Sequence, residues 1–282
     1  MSRKGMRSRT KRQIILIAVL SCIGIIMLVP IIWMISLSFD RTTLQNFSYP
    51  PSLIPKQWSM MGYKVATKNI PMLKYLSNSL MISSGVVVIS VLSAASSGYA
   101  LSKIPFKGKS VILVLMLCTM MVPLETTMIP QFQLFSKLNL INSYAAFYLP
   151  SVVYVFGTFF AKQYIDSIYD SFRESALLDG ANEWIIAFRI YLPLCRSMLA
   201  SLGILVFLNS WNDFLWPLIV LNQREKFTIQ IGISMLTQGQ GGAPMPGPQM
   251  AATALSVIPV FILYIFAQNF ILESIATSGV KE

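Results

Sequence analysis

Gln13 to Phe39 is a run of 27 residues without a single charge. A helix needs about 20 apolar residues to cross a hydrocarbon core of about 30 Å. The run is longer than the apolar region of a secretory signal, it has no A-x-A cleavage pattern, and Pro30 and Trp33 sit near its end. We read an uncleaved first transmembrane helix over residues 14–36, behind a basic tail, residues 1–13. Six Lys or Arg and no acid fall in the first twelve residues. The rest of the chain has the same solvent in mind: 12% of its residues are charged, against about 25% in soluble domains. A net charge of +11 in such a chain points to a bilayer rather than to nucleic acid.

Five further helices are predicted, over residues 78–102, 111–134, 144–161, 197–221 and 250–271. Residues 37–74 form a polar connection broken by Pro50, Pro51, Pro55 and Pro71. The second span is rich in small residues, among them Ser83, Gly85, Ser90, Ala94 and Gly98. Small side chains let helices approach closely in lipid, which puts this span at the centre of a bundle. Pro123, Glu125 and Pro130 interrupt the third span. Thr237 to Gln249, with four Gly and three Pro, reads as an irregular loop. The fold class is therefore all-α: a polytopic membrane protein of six helices with one large polar loop.

Positive charge sets the orientation. With the N-terminus cytoplasmic, inner segments hold 14 Lys or Arg and outer segments 8. Both termini, including the tail over residues 272–282, and the large loop are then cytoplasmic.

That loop, residues 165–193, has a helical plan. Ser171 and Glu174 match a capping box, Gly180 suits a left-handed helix end, Asn182 suits an N-cap, and Pro193 ends the second helix. Glu174-Ser-Ala176, three residues, Gly180, nine residues, then Ile190-Tyr-Leu192-Pro193 resembles the EAA loop of ABC importer permeases. Ser175 replaces the first Ala, a small-for-small change. Asn78-Ser79-Leu80, Gly98-Tyr99-Ala100-Leu101 with Phe106 and Gly108, Ile129-Pro130, Trp211-Asn212-Asp213-Phe214-Leu215-Trp216-Pro217-Leu218 and Gln268…Gly279-Val280-Lys281 extend the resemblance to the carbohydrate, maltose-type branch. Ser274 stands where that branch has a Gly. The resemblance implies a type-1 permease domain over residues 75–270, within a bacterial or archaeal cytoplasmic membrane. It implies ATPase contacts at Glu174, Ala176, Asp179, Gly180, Ala181, Leu192 and Pro193. It also implies a sister permease, two ATPase subunits and an extracytoplasmic solute-binding protein as partners. The expected substrate is a sugar or oligosaccharide; glycerol phosphate or another solute is the alternative.

The residues themselves exclude several chemistries. There is no histidine and no phosphate-binding GxxxxGK[ST] sequence, so if ATP drives this protein, another chain must bind it. Three widely spaced cysteines, Cys22, Cys118 and Cys195, suit neither a disulfide framework nor a zinc site. No metal, no cofactor and no catalytic group is expected. An enzyme would need a nucleophile or a carboxylate pair, and Glu125 and Asp213 have no obvious partner. A proton-coupled secondary transporter would leave the polar loop unexplained.

Polar residues at membrane depth are expensive and mark candidate pathways. On a continuous fifth helix Asn209, Asn212, Asp213 and Trp216 fall within about 100° of one another, with Trp211, Phe214, Leu215 and Leu218 opposite. Such a stripe suits sugar hydroxyls and a pyranose face; equally, Asp213 and Trp216 suit the outer headgroups and the interfacial aromatic belt. Glu125 reads either as part of a polar path or as a residue at the outer interface. Asn78, Gln268 and Asn269 read as interfacial or interhelical glue, and Met116, Met120 and Met121 as packing filler.

Reporter fusions test the topology. Fusions at Thr67 and Gly241 should report outside and fusions at Lys107 and Asp179 inside; a cytoplasmic signal at Gly241 would contradict six spans.

Overall fold

A computed structural model describes residues 3–44, 52–237 and 246–279, with side chains described from residue 13 to residue 268 within those ranges. In chain order the helices are α1 (Arg3–Ser38), α2 (Met61–Asn69), α3 (Met72–Lys103), α4 (Lys109–Thr119), α5 (Leu124–Lys137), α6 (Ala145–Ser151), α7 (Val155–Asp166), α8 (Ser171–Leu178) and α9 (Glu183–Ile185). A π-helical stretch, Ile186–Tyr191, leads into α10 (Leu192–Leu194), followed by α11 (Arg196–Asn212), α12 (Leu215–Val220), α13 (Ile229–Thr237) and α14 (Pro246–Gly279). Among the described residues the only extended pairing is one isolated bridge between Asp40 and Trp58.

The all-α expectation holds, and helices lie over most of the stretches read as apolar from the sequence. α1, α3, the run Ala145–Asp166 and α14 are long and apolar enough to cross a membrane. Two bent pairs, α4 with α5 at 98° and Glu183–Leu194 with α11 at 81°, would bring the number to six if each is one span. The third is broken as its prolines suggested, and the fourth and fifth are broken where the sequence predicts continuous helices. The third is cut before Pro123, the fourth after Ser151, and the fifth at Asp213, whose ψ of 127° is extended. Part of the loop expected over Thr237–Gln249 is helical: prolines 246 and 248 open α14, where a missing N–H costs nothing. Residues 238–245, Pro50, Pro51, the Asn269 side chain and Val280-Lys281 lie outside the described residues.

The chain divides into two compact units. In the unit of Met1–Met72 with Ile233–Val257, Asp40 organises the turn after α1. Its carboxylate accepts hydrogen bonds from Thr42 N and Oγ1 and from Lys56 N, at 2.8–2.9 Å. Burial would push its pKa up, and these donors outweigh that and hold it below the usual carboxylate value.

The unit of Leu73–Gly232 with Ile258–Glu282 is built on α3. A Cβ added at Gly98 would lie 2.6 Å from Ala161 Cβ and 2.9 Å from Lys162 N, so α3 and α7 touch backbone to backbone there. Around this contact Ala94, Tyr99, Ala161, Ile165, Ile186, Tyr191, Met198 and Leu202 form a buried cluster. The close approach read from the small residues of α3 is seen at Gly98, where the neighbour is the backbone of α7, and at Gly85, where a Cβ would lie 2.5 Å from the Tyr148 ring. Asn78 ties α3 to the connection between α12 and α13: its amide donates to the carbonyls of Glu225 and Phe227, at 2.8 and 3.0 Å. Gln268 instead bonds its own helix, at Ile265 O.

Gly98→Leu should overpack this contact and cost about 1–3 kcal/mol of stability. Gly24→Leu is the control, because nothing lies within 4 Å of a Cβ there. Thermal unfolding of the solubilised chain should show a lower Tm for Gly98→Leu alone; equal values would contradict the close approach.

Candidate functional site

The polar loop closes in a way its sequence largely dictates. At the end of α8 Gly180 takes φ +80°, a conformation that costs glycine nothing. The amides of Gly180 and Ala181 then cap Leu177 O and Ala176 O, both at 3.0 Å, the paired bonds of a Schellman motif. Asn182 Oδ1 accepts Ile185 N at 2.9 Å and starts α9 as an N-cap.

Two expectations fail. Ser171 and Glu174 form no capping box: the N-cap is Asp170, its backbone is already helical, and no side chain caps the helix. Pro193 does not end the second helix either. It lies in the first turn of α10, where its missing N–H leaves no bond unmade, behind the wide π turn of Ile186–Tyr191. The chain turns instead at Cys195, whose φ and ψ are −93° and 13°.

The loop residues divide by exposure. Glu174, Asp179, Gly180 and Pro193 are exposed, Ala181 and Leu192 half-buried, and Ala176 is buried in the core cluster. So Ala176 anchors the loop from below, while the exposed set is available to a partner. Beside that set Leu178 is 90% exposed and Trp184 69%, with Trp184 stacked on Phe188 at 5.9 Å.

Four residues hold this loop to α3, none of them given that role from the sequence, although Tyr99 falls within the Gly98–Leu101 motif. Arg173 and Glu183 pair across the Gly180 bend: Arg173 Nε lies 3.1 Å from Glu183 Oε1 and Nη2 donates to the same oxygen. Arg173 holds the Glu183 carboxyl below its usual pKa, against the opposing effect of burial. Tyr99 Oη donates to Glu183 Oε2 at 2.6 Å, and Lys103 Nζ binds Ile168 O and the Asp170 carboxylate. The opposite charges of Arg173 and Glu183, flanking a glycine bend, were the available sequence signal.

A cavity of about 660 Å³ opens at the three helix breaks. Its walls are Val86 and Ser90 of α3, Leu124, Met128 and Gln131 of α5, Phe147 to Tyr154 around the α6–α7 break, and Val206 to Trp216 around the α11–α12 break. Asn209, Asn212, Asp213 and Trp216 all reach it, although α11 stops at Asn212 and the continuous helical projection does not apply. Trp216 is buried in the cavity wall, and its Nε1 donates to Ala146 O at 3.0 Å. Pro150 explains that bond, since it has no N–H to give the carbonyl four residues back. Glu125 is not brought to the cavity; it is exposed in the first turn of α5. Among the described residues no group of three or more His, Cys, Asp or Glu could hold a metal.

Residues 86–276 match the family model described as "Binding-protein-dependent transport system inner membrane component". The arabinooligosaccharides transport system permease protein AraQ of Halalkalibacterium halodurans is 36% identical over 249 residues, 88% of this chain and 83% of that protein. The trehalose/maltose transport system permease protein MalG of Thermococcus litoralis is 30% identical and covers 98% of this chain, which spans 99% of it. Among solved structures, a bacterial ABC transporter involved in the import of the acidic polysaccharide alginate superposes with a TM-score of 0.79 at 24% identity, over 95% of this chain and 98% of that one.

In a background lacking the native cysteines, Asn209→Cys and Asn212→Cys should react with a water-soluble thiol reagent. Leu218→Cys, outside the cavity lining, and Trp216→Cys, within the packed wall, should not. Equal labelling at all four positions would show that depth alone governs access.

Proposed function

The chain belongs to the binding-protein-dependent transport system inner membrane component family, and we propose that its cavity is one half of the membrane pathway for a sugar or oligosaccharide. It is a multi-pass permease subunit of an ATP-binding-cassette importer, which works with separate ATPase and solute-binding subunits. A sister permease supplies the other half of the path, and both termini face the cytoplasm. This chain performs no covalent chemistry.

The cavity lining carries the substrate reading. It presents the amides of Asn209, Asn212 and Gln131, the hydroxyls of Ser90, Ser151 and Ser210, and a single carboxylate, Asp213, without one Lys or Arg. Amides and hydroxyls exchange hydrogen bonds with sugar hydroxyls, and the apolar walls of Val206, Phe147 and Tyr154 suit the carbon face of a ring. A phosphorylated solute would call for cations, so the lining disfavours glycerol phosphate. Relatives named for arabinooligosaccharides, trehalose/maltose and diacetylchitobiose support the same class.

The loop is the coupling element in this reading. Glu174, Asp179, Gly180 and Pro193 meet an ATPase subunit, with Ala176, Ala181 and Leu192 setting their backing. ATP-driven closure of the ATPases pushes the loop and tilts the helices that wall the cavity.

Uptake of labelled arabino- and malto-oligosaccharides by the reconstituted importer tests both parts. Asn209→Ala and Asn212→Ala should each lower uptake about five- to tenfold, the scale of a lost hydrogen bond, with ATPase subunits still bound. Gly180→Asp and Glu174→Ala should lower uptake with the membrane-inserted chain intact. Parent-level uptake in the loop variants would remove the coupling role; competition by glycerol phosphate but by neither sugar would overturn the substrate class.

A further inference from the structure

We propose that Tyr99 is a positioning residue that locks the coupling loop onto α3, so that loop and helix move as one lever between the ATPase face and the cavity. The proposal rests on the importer reading above. Its basis is where α3 makes its polar contacts. The last two turns of α3 grip three separate parts of the loop. Tyr99 Oη reaches Glu183 Oε2 at 2.6 Å on the second arm, and Glu183 is forked by Arg173 on the first arm. Lys103, whose side chain is 6% exposed, binds Ile168 O and Asp170 at the loop's entrance and lies 5.7 Å from the centre of the Tyr191 ring. Tyr99 itself is 2% exposed and meets Tyr191 edge-on at 5.1 Å.

Higher on the same helix, α3 holds the cavity wall. Ser90 Oγ donates to Ser151 O at 3.1 Å and Ser93 Oγ to Val152 O, the carbonyls left open by the α6–α7 break. Ser90 and Ser151 both line the cavity. Nine residues separate Ser90 from Tyr99, about 14 Å of unbroken helix. A displacement of the loop therefore reaches the wall through one rigid element, provided that the loop cannot slip on α3. Among the described residues, the Tyr99 hydroxyl is the group on α3 that hydrogen-bonds the Arg173–Glu183 pair joining both arms. Removing it frees the pair to move without the helix, although the aromatic packing of Tyr99 on Tyr191 remains.

Tyr99→Phe keeps the ring and removes only that hydroxyl, and Glu183→Gln weakens the Arg173 fork while keeping an acceptor. Each variant is assembled with its ATPase and sister subunits in proteoliposomes. ATP hydrolysis is measured with and without the solute-binding protein, alongside uptake of labelled arabino- and malto-oligosaccharides. Both variants should retain the parent complement of ATPase subunits and the basal ATP hydrolysis. In Tyr99→Phe the sugar moved per ATP should fall about tenfold, the factor carried by a hydrogen bond to a charged group, and stimulation of hydrolysis by the solute-binding protein should fall with it. Glu183→Gln should fall in the same direction by less. Parent-level coupling in both variants would overturn the proposal, as would loss of ATPase subunits from Tyr99→Phe, which would mark a docking role. A parent importer whose hydrolysis responds to the solute-binding protein but which takes up neither sugar would refute the substrate class alone; the stimulation ratio then decides the latch.

Discussion

A backbone carbonyl or amide left unpaired in hydrocarbon costs several kcal/mol, so a membrane chain can break a helix only where other groups replace the lost bonds. This chain breaks its apolar helices repeatedly, and at the α6–α7 break and at the end of α11 side chains take up the freed backbone groups. Pro150 strips Ala146 O of its helical donor, and the Trp216 indole takes that place. Serines 90 and 93 cover the carbonyls of Ser151 and Val152. Where α11 ends, Gln230 Nε2 donates to Trp211 O at 3.1 Å. The polar cavity is the space these breaks open, and discontinuous helices are a recurring way for transporters to bring polar groups to membrane depth.

The same economy explains why α3 matters. It is the longest unbroken helix of its unit, and its glycine and serine content does two things at once. Gly98 admits α7 to backbone contact, and Ser90 and Ser93 satisfy a neighbour's broken backbone. Its polar C-terminal end then binds the loop through Tyr99 and Lys103. An unbroken helix thus runs from the loop to the cavity wall.

Local chemistry was legible in the sequence, and long-range chemistry was not. Gly180 and Asn182 announced their roles because a left-handed cap and an N-cap depend only on adjacent residues. Ser171 and Glu174 carry the pattern of a capping box, yet the chain is already helical at Asp170, whose carboxylate pairs with Lys103 sixty-seven residues away. No spacing rule could show that. The projection that grouped Asn209, Asn212, Asp213 and Trp216 assumed a continuous helix. The grouping holds at the cavity because the break at Asp213 redirects the chain without carrying it away. Trp216 was read as a stacking or interfacial ring, and its burial follows from a proline in another helix. Glu125, read either as part of a polar path or as a residue at the outer interface, is exposed beside the residues of α5 that line the cavity.

The central claim is that the loop and α3 form one moving body. Spin labels at Leu178, on the loop, and Leu92, on α3, measure their separation by pulsed electron resonance in the assembled importer with and without ATP. A second pair at Asn209 and Leu124 spans the cavity. The account predicts an unchanged Leu178–Leu92 distance and a changed Asn209–Leu124 distance on ATP binding. A Leu178–Leu92 distance that shifts while the cavity pair stays fixed would contradict it.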